Sequence, residues 1–130
     1  MPEPSKASEV FDQLVAAMSS QNVSAIAHLL ADDHVFVDAL GNTMQGASTM
    51  EGAWRGYFTM CPDYWIRPAH VLAEGDLVLA AGEAGGTIDG QPWRTPAAWK
   101  AVIRGGQVAE WRVFADNKPV YEILARRQKQ

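Results

Sequence analysis

The chain has 130 residues, a length that suits one domain with one hydrophobic core, and we expect a single domain over residues 1–130. Its 15 acidic residues outnumber its 11 basic residues, for a formal net charge of -4, whereas proteins that bind nucleic acids or anionic membranes usually carry a basic surface. No run of ~18 uncharged apolar residues is present to span a membrane, and the first residues lack the features of a secretion signal. A cytoplasmic location is therefore expected.

Composition and spacing give no sign of a metal or cofactor site. The single cysteine, Cys61, has no cysteine partner for a disulfide or a metal site and is interpreted as a packing residue. Asp32, Asp33, His34 and Asp38 are possible ligand types, but strand alternation points Asp33 away from His34. The glycine-rich phosphate loop, the serine elbow and zinc spacing are all missing from the sequence. We predict no metal and no cofactor.

The first half of the chain contains three segments whose apolar residues recur at helical spacing. The first predicts a helix over residues 8–19. Asn22 can cap a second helix that ends near Ala31, and Ser48 with Glu51 forms a capping box that would open a third. The third helix carries an apolar, mostly aromatic stripe of Met50, Trp54, Tyr57 and Phe58.

Strand patterns lie between the second and third helices and throughout the second half. Residues 34–38 predict a short strand with His34, Phe36 and Asp38 on one face. Four further β segments are predicted at 64–74, 77–88, 92–104 and 107–115. Short glycine-containing turns separate these segments, so the sheet is expected to be antiparallel. Bulges or bends are expected at Gly82, Gly85, Gly86 and Pro96.

A final helix is predicted after residue 115, with Asp116 or Asn117 as its cap. Three helices, a curved antiparallel sheet and a short C-terminal helix define an α+β protein. We expect the three N-terminal helices to pack into the concave face of a cone-shaped sheet. Such a cone leaves a pocket between the helices and the sheet.

Four short sequence segments, taken together with this pattern, resemble a known protein family. They are ADDHVFVD at 31–38 followed by Gly41, Gly46 before the Trp54 helix, GGQV at 105–108 and EWRVFAD at 110–116. In this order they resemble the nuclear transport factor 2-like superfamily, especially its SnoaL-like polyketide cyclase and ketosteroid isomerase-like branches. The resemblance spans nearly the whole chain. It implies a cone-shaped domain with a pocket for a small apolar molecule, in a fold that carries both enzymes and non-catalytic proteins.

The resemblance implies a catalytic role for Asp38. In ketosteroid isomerases the aspartate that ends the first short strand is the general base that moves a proton beside a carbonyl group. Their two hydrogen-bond donors correspond here to Leu14 and Ala98, which cannot donate, although a shift of one residue would supply the Trp99 indole. The alternative is structural, with Asp38 accepting backbone N–H groups of the turn at Leu40 and Gly41.

Strand parity and the resemblance together predict the substrate-binding wall. Its members are Phe36, Trp54, Phe58, Trp99, Trp111 and Val113. Ordinary core packing is the alternative for these side chains. Trp65, Trp93 and Trp99 could instead cover the outer face of the sheet. A sheet that is apolar on both faces favours a homodimer.

Two other branches of the superfamily are compared through single residues. Limonene epoxide hydrolases place an acid two residues after a tryptophan on the last strand, where this chain has Val113, so epoxide hydrolysis is not expected. Dehydratases pair a histidine with an aspartate, which makes His34 and His70 candidates, with packing roles as the alternative. Two hypotheses result: an isomerase or cyclase that uses Asp38, and a non-catalytic binding or accessory module.

Overall fold

The computed structural model describes residues 6–128, and side chains are described as far as residue 126. Residues 1–5, on which the expectation of no secretion signal rests, and residues 129–130 lie outside the described residues. In chain order the elements are α1 (Lys6–Ser19), α2 (Val23–Leu29), β1 (Leu30–Val37), β2 (Thr43–Gln45), α3 (Ala47–Met60), β3 (Trp65–Glu74), β4 (Leu77–Ile88), β5 (Gln91–Arg104), β6 (Gln107–Ala115) and α4 (Lys118–Gln128).

The helices follow the predicted pattern, with one correction at a cap. The Asn22 side chain accepts a hydrogen bond from the Ala25 N–H at 3.1 Å, which confirms it as the N-cap of α2. The capping box at Ser48 is wrong, because α3 begins at Ala47 and no side chain caps it. Gly46 precedes the helix at a φ of +101°, a backbone conformation that favours glycine.

The sheet has six strands in the order β2-β1-β6-β5-β4-β3 and is mixed. Strands β3 to β6 pair antiparallel with bounds within one residue of those predicted. The expectation of a wholly antiparallel sheet misses one pairing, because β1 lies parallel to β6. β1 also begins four residues before the predicted strand, and the three-residue β2, which pairs antiparallel with it, was not predicted.

The three glycines of β4 allow atoms of neighbouring residues to approach the backbone closely, and they do not form bulges in β4. The register between β4 and β5 runs without interruption, past Pro96 as well, and the irregularity lies on β3 between Pro68 and His70. A Cβ at Gly82 would collide with the backbone of Arg67. At Gly85 a Cβ would lie 2.5 Å from the Trp65 ring.

The core lies between the concave face of the sheet and the helices. Helix α1 packs across β3 to β6, where buried Phe11 stacks on Trp111 at 5.6 Å between ring centroids. At the start of α4, the Asp116 carboxylate accepts the Lys118 N–H at 3.0 Å, as expected of a cap. The architecture is the predicted α+β cone with an open, curved sheet. Among the described residues, no helix is long and apolar enough to cross a membrane.

Candidate ligand-binding site

A cavity of about 240 Å³ lies between α3, the concave face of the sheet and the β1–β2 hairpin. Met50 and Trp99, each 1% exposed, lie at its closed end. Asp38, Ala39 and Asn117 are partly exposed and mark its open end. The volume is that of about eight water molecules and falls just below the usual range for ligand pockets, so the cavity suits a compact molecule.

Six of the 16 described residues that line the cavity have aromatic side chains. They are Phe36, Trp54, Tyr57, Tyr64, Trp93 and Trp99. Trp54 is central to this group, because it meets Phe36 and Tyr57 edge to face, with centroids 6.1 and 6.0 Å away. Such near-perpendicular pairs are a preferred arrangement of aromatic rings. The rings support one another and form a rigid, apolar lining.

Two phenol groups add uncharged hydrogen-bond donors to this wall. Burial raises the pKa of both Tyr57 and Tyr64, so both hydroxyls stay protonated at neutral pH. Their rings meet edge to face with centroids 5.1 Å apart. A phenol hydroxyl can both donate and accept a hydrogen bond, so each can donate to a ligand oxygen that comes within reach.

Trp93 contributes its ring carbons to the wall. Its indole nitrogen is buried near the Cys61 sulfur and makes no hydrogen bond of standard geometry to the residues described. The ring stacks against Tyr64 with centroids 6.3 Å apart. Trp93 therefore offers apolar surface to a ligand.

Asp38 lines the open end of the cavity, in the loop that follows β1. Its Oδ1 atom accepts the backbone N–H groups of Leu40 and Asn42, each at 2.9 Å, and its Oδ2 accepts the Asn42 side-chain amide at 3.3 Å. These are the contacts expected of an aspartate that stabilises a turn. The structure thus places Asp38 on the wall and also gives it a structural task. Its role as a base stays a prediction.

The predicted wall residues divide into two groups. Phe36, Trp54, Trp99 and Val113 line the cavity, whereas Phe58 and Trp111 do not. Phe58 stacks behind Trp54 at 5.4 Å, and Trp111 is covered by α1.

The alternative that placed three tryptophans on the outer face is wrong for two of them. Trp93 and Trp99 are buried on the concave face and line the cavity. Trp65 is half-buried, and the Arg67 guanidinium lies 4.1 Å from its ring centroid.

Three aromatic members of the wall were not predicted as ligand contacts from the sequence: Tyr57, Tyr64 and Trp93. For two of these residues the sequence contains a feature that indicates a place on the wall. Tyr57 lies on the aromatic stripe of α3, and Trp93 shares strand parity with Trp99. Tyr64 directly precedes β3, where parity gives no guidance.

Neither candidate histidine reaches the cavity. His34 is 1% exposed and its Nδ1–H donates to the Val108 carbonyl at 2.8 Å, which joins β1 to β6. Burial lowers the pKa of His34, although this hydrogen bond and the nearby Glu110 and Asp33 carboxylates act in the opposite direction. His70 is exposed and is not part of the cavity wall. A histidine–aspartate pair for dehydration is therefore not assembled in the cavity.

Residues suited to metal binding do not cluster in the described part of the chain, where no group of three or more His, Cys, Asp or Glu side chains could hold an ion. Cys61 is buried, and burial raises the pKa of its thiol. Its sulfur lies against Gly86, where there is no room for a Cβ. These contacts are those of a packing residue.

Comparison with known proteins gives one family match. The family model described as SnoaL-like domain matches residues 11–111, which include the aromatic wall, Asp38 and the strands that carry them. No curated protein sequence matches the chain.

Several solved structures share the fold. A hypothetical protein with a ketosteroid isomerase-like fold from Catenulispora acidiphila, in complex with trimethylamine, is 27% identical with a TM-score of 0.75, covering 82% of this chain and 84% of that one. A protein assigned as a SnoaL-like polyketide cyclase from Jannaschia sp. is 18% identical with a TM-score of 0.81, covering 93% and 95%. An LEH-like epoxide hydrolase from M. tuberculosis is 17% identical with a TM-score of 0.82, covering 96% and 93%.

Proposed function

The chain belongs to the SnoaL-like domain family, and we propose that it binds a compact, largely apolar molecule in the aromatic cavity as a binding or accessory module. The observation that carries this proposal is the wall itself, in which six aromatic side chains surround an empty volume of about 240 Å³. Aromatic surface with a few polar groups is the usual composition of a ligand pocket. The complex of the Catenulispora protein with trimethylamine supports small-molecule binding in a related chain.

A second candidate is isomerase or cyclase chemistry on a carbonyl compound, with Asp38 as general base. It is favoured by one observation: Asp38 lines the same cavity as Tyr57 and Tyr64, whose protonated hydroxyls could stabilise a developing enolate oxygen. These phenols would replace the donors that are missing at Leu14 and Ala98. The first candidate ranks higher because the Asp38 carboxylate already accepts three hydrogen bonds in its turn.

One pair of measurements separates the two candidates. Tryptophan fluorescence would report the binding of phenols, steroids and polyketide-like ketones, because Trp54, Trp93 and Trp99 line the cavity. Asp38→Asn keeps a side-chain oxygen for the turn and removes the base, and Asp12→Asn, on the exposed face of α1, is the matched control. A binding module still binds its ligand in Asp38→Asn, with an affinity changed severalfold at most. An enzyme loses turnover in Asp38→Asn alone, and no response to any compound would contradict both candidates.

We also propose a homodimer through the convex face of the sheet. On this face Leu72 pairs with Leu79, and Ala98 pairs with Phe114. Leu72 is 76% exposed, and Leu79 and Phe114 are each 47% exposed. Ion pairs of both signs flank them, such as Lys100 with Glu110 at 2.9 Å. A two-fold axis places a surface against a copy of itself. When charges of both signs surround an apolar centre, each charge can face an opposite charge of the second copy.

The proposal also covers the cellular location and the partners of the chain. A cytoplasmic location stays a prediction from the sequence. The partners proposed are a small molecule and a second copy of the chain.

A further inference from the structure

The chemistry of the cavity wall bears on the charge of the ligand, and this step rests on the proposed small-molecule binding. Each aromatic ring carries a partial negative charge on its faces. Trp54 meets Phe36 at 83° and Tyr57 at 81°, and Tyr57 meets Tyr64 at 85°, so successive rings stand as perpendicular walls. Trp54, Tyr64 and Trp93 are closer to parallel with one another, so the lining rings have two main orientations. Rings in two orientations can contact a bound group from more than one side, as in sites that recognise quaternary ammonium groups.

The formal charge of the lining has the same sign as the ring faces. Among the described residues that line the cavity, Asp38 carries the only formal charge, and none of them is a lysine, arginine or histidine. Its Oδ1 is occupied by two backbone N–H groups, but Oδ2 accepts a single hydrogen bond of 3.3 Å and keeps capacity for another partner. An anionic ligand would therefore be repelled by Asp38, and a cation would be attracted by Asp38 and by each ring face that it contacts.

Size restricts the cation further. The cavity of about 240 Å³ leaves little room for a hydration shell around a charged group. A primary ammonium ion would lose strong hydrogen bonds to water, which the apolar rings cannot replace. An ammonium nitrogen that carries methyl groups presents apolar surface to the rings and spreads its positive charge over that surface.

We infer that the cavity selects a compact organic cation with a methylated ammonium group, with the aromatic walls around the methyl groups and Asp38 at the open end. Tyr57 and Tyr64 also line the cavity, and a tyrosine hydroxyl can donate to an oxygen elsewhere on the ligand. The ligand class is thus a small quaternary or tertiary ammonium compound with an adjacent polar atom.

The test uses two probes of the same shape and different charge, choline and 3,3-dimethyl-1-butanol, in which a carbon replaces the charged nitrogen. Titration calorimetry on the full chain is expected to show choline binding about tenfold more tightly than the neutral alcohol, the size of effect expected for a desolvated cation among aromatic rings. Asp38→Asn should weaken choline severalfold and leave the alcohol unchanged. Tyr57→Leu should reduce the preference for choline, and Asp12→Asn is the control that changes a carboxylate outside the cavity.

The outcomes distinguish this inference from the function on which it rests. Equal affinities, or tighter binding of the alcohol, would overturn the preference for a cation and leave the proposed small-molecule binding in place. An unchanged preference in both Asp38→Asn and Tyr57→Leu would show that the cation binds elsewhere, which also overturns the inference. If neither probe binds and no neutral aromatic compound binds, the proposed function fails as well.

Discussion

His34 shows how one buried side chain makes stability depend on pH. It is 1% exposed, and its ring joins β1 to β6 through the Val108 carbonyl. Burial lowers its pKa in the folded state below the ordinary value of 6.5, so the unfolded chain binds more protons between the two values. The free energy of unfolding is therefore complete above about pH 6.5 and falls as the pH drops through 6.5 towards the folded-state pKa.

We predict that His34→Asn removes this part of the pH dependence, since the asparagine amide can donate to Val108 without titrating. Urea unfolding at pH 7.5 and 5.5 measures it, with a slope of at most about 1.4 kcal/mol per pH unit for one proton. His70→Asn makes the same replacement at an exposed position and is the control. Identical pH profiles for His34→Asn and wild type would contradict the assignment.

The glycines provide a second residue-scale prediction. Gly82 faces the backbone of Arg67, which cannot move aside as a flexible side chain could, so Gly82→Ala should destabilise the protein by about 1–3 kcal/mol. Gly56 lies in α3 with open space where a Cβ would be, so Gly56→Ala should stabilise by about 0.5–1 kcal/mol. Urea unfolding of both variants tests the prediction. Changes of the same sign would show that helix propensity and close packing are not what distinguish the two sites.

The site was only partly predictable because strand alternation indicates on which face of the sheet a residue lies, but not how far along that face it lies. Trp111 and Val113 share the concave face, as predicted from their spacing. Trp111 lies at the level of α1, where Phe11 covers it, and Val113 lies at the level of the cavity. Trp99 pairs with Val113 across the strands, and that register depends on contacts between distant parts of the chain.

At the scale of elements, local patterns predicted the hairpins well and the position of β1 less well. Four strands have turns and alternation within the same short stretch of sequence, and their bounds match to within one residue. β1 instead pairs with β6, which is distant in the sequence: Val35 pairs with Glu110, 75 positions further along the chain. Parallel pairing leaves no local turn signal, so the sequence pattern could not indicate it.

The two candidate caps give a prediction for the helices. The Asn22 side chain accepts the Ala25 N–H, so Asn22→Ala should lower the free energy of unfolding by about 1 kcal/mol. Ser48 lies inside α3, and serine is a weaker helix former than alanine, so Ser48→Ala should be neutral or stabilise by a few tenths of a kcal/mol. Thermal and urea unfolding measure both. A loss in Ser48→Ala as large as that in Asn22→Ala would restore the capping box.

At the scale of the whole molecule, the proposed ligand site and the proposed dimer interface lie on opposite faces of the sheet. The concave face carries Trp99 and Val113 into the cavity. The convex face carries Leu79 and Phe114 outwards, and strand alternation keeps the two sets apart. A dimer that buries the convex face therefore leaves the cavity wall unchanged, and association and ligand binding should be independent.

This independence can be measured with one variant. Leu79→Lys puts a charge at the centre of the proposed interface and should convert a dimer of twice 14.2 kDa into a monomer, since burying an unpaired charge in an apolar interface is unfavourable. Tyr121→Lys changes an apolar side chain of similar exposure on α4 and should leave the dimer intact. Light scattering gives the mass and titration calorimetry gives the affinity for any ligand found. A monomeric wild type, or a Leu79→Lys variant that remains dimeric, would contradict the interface. A monomeric variant with much weaker ligand binding would contradict the independence of the two faces.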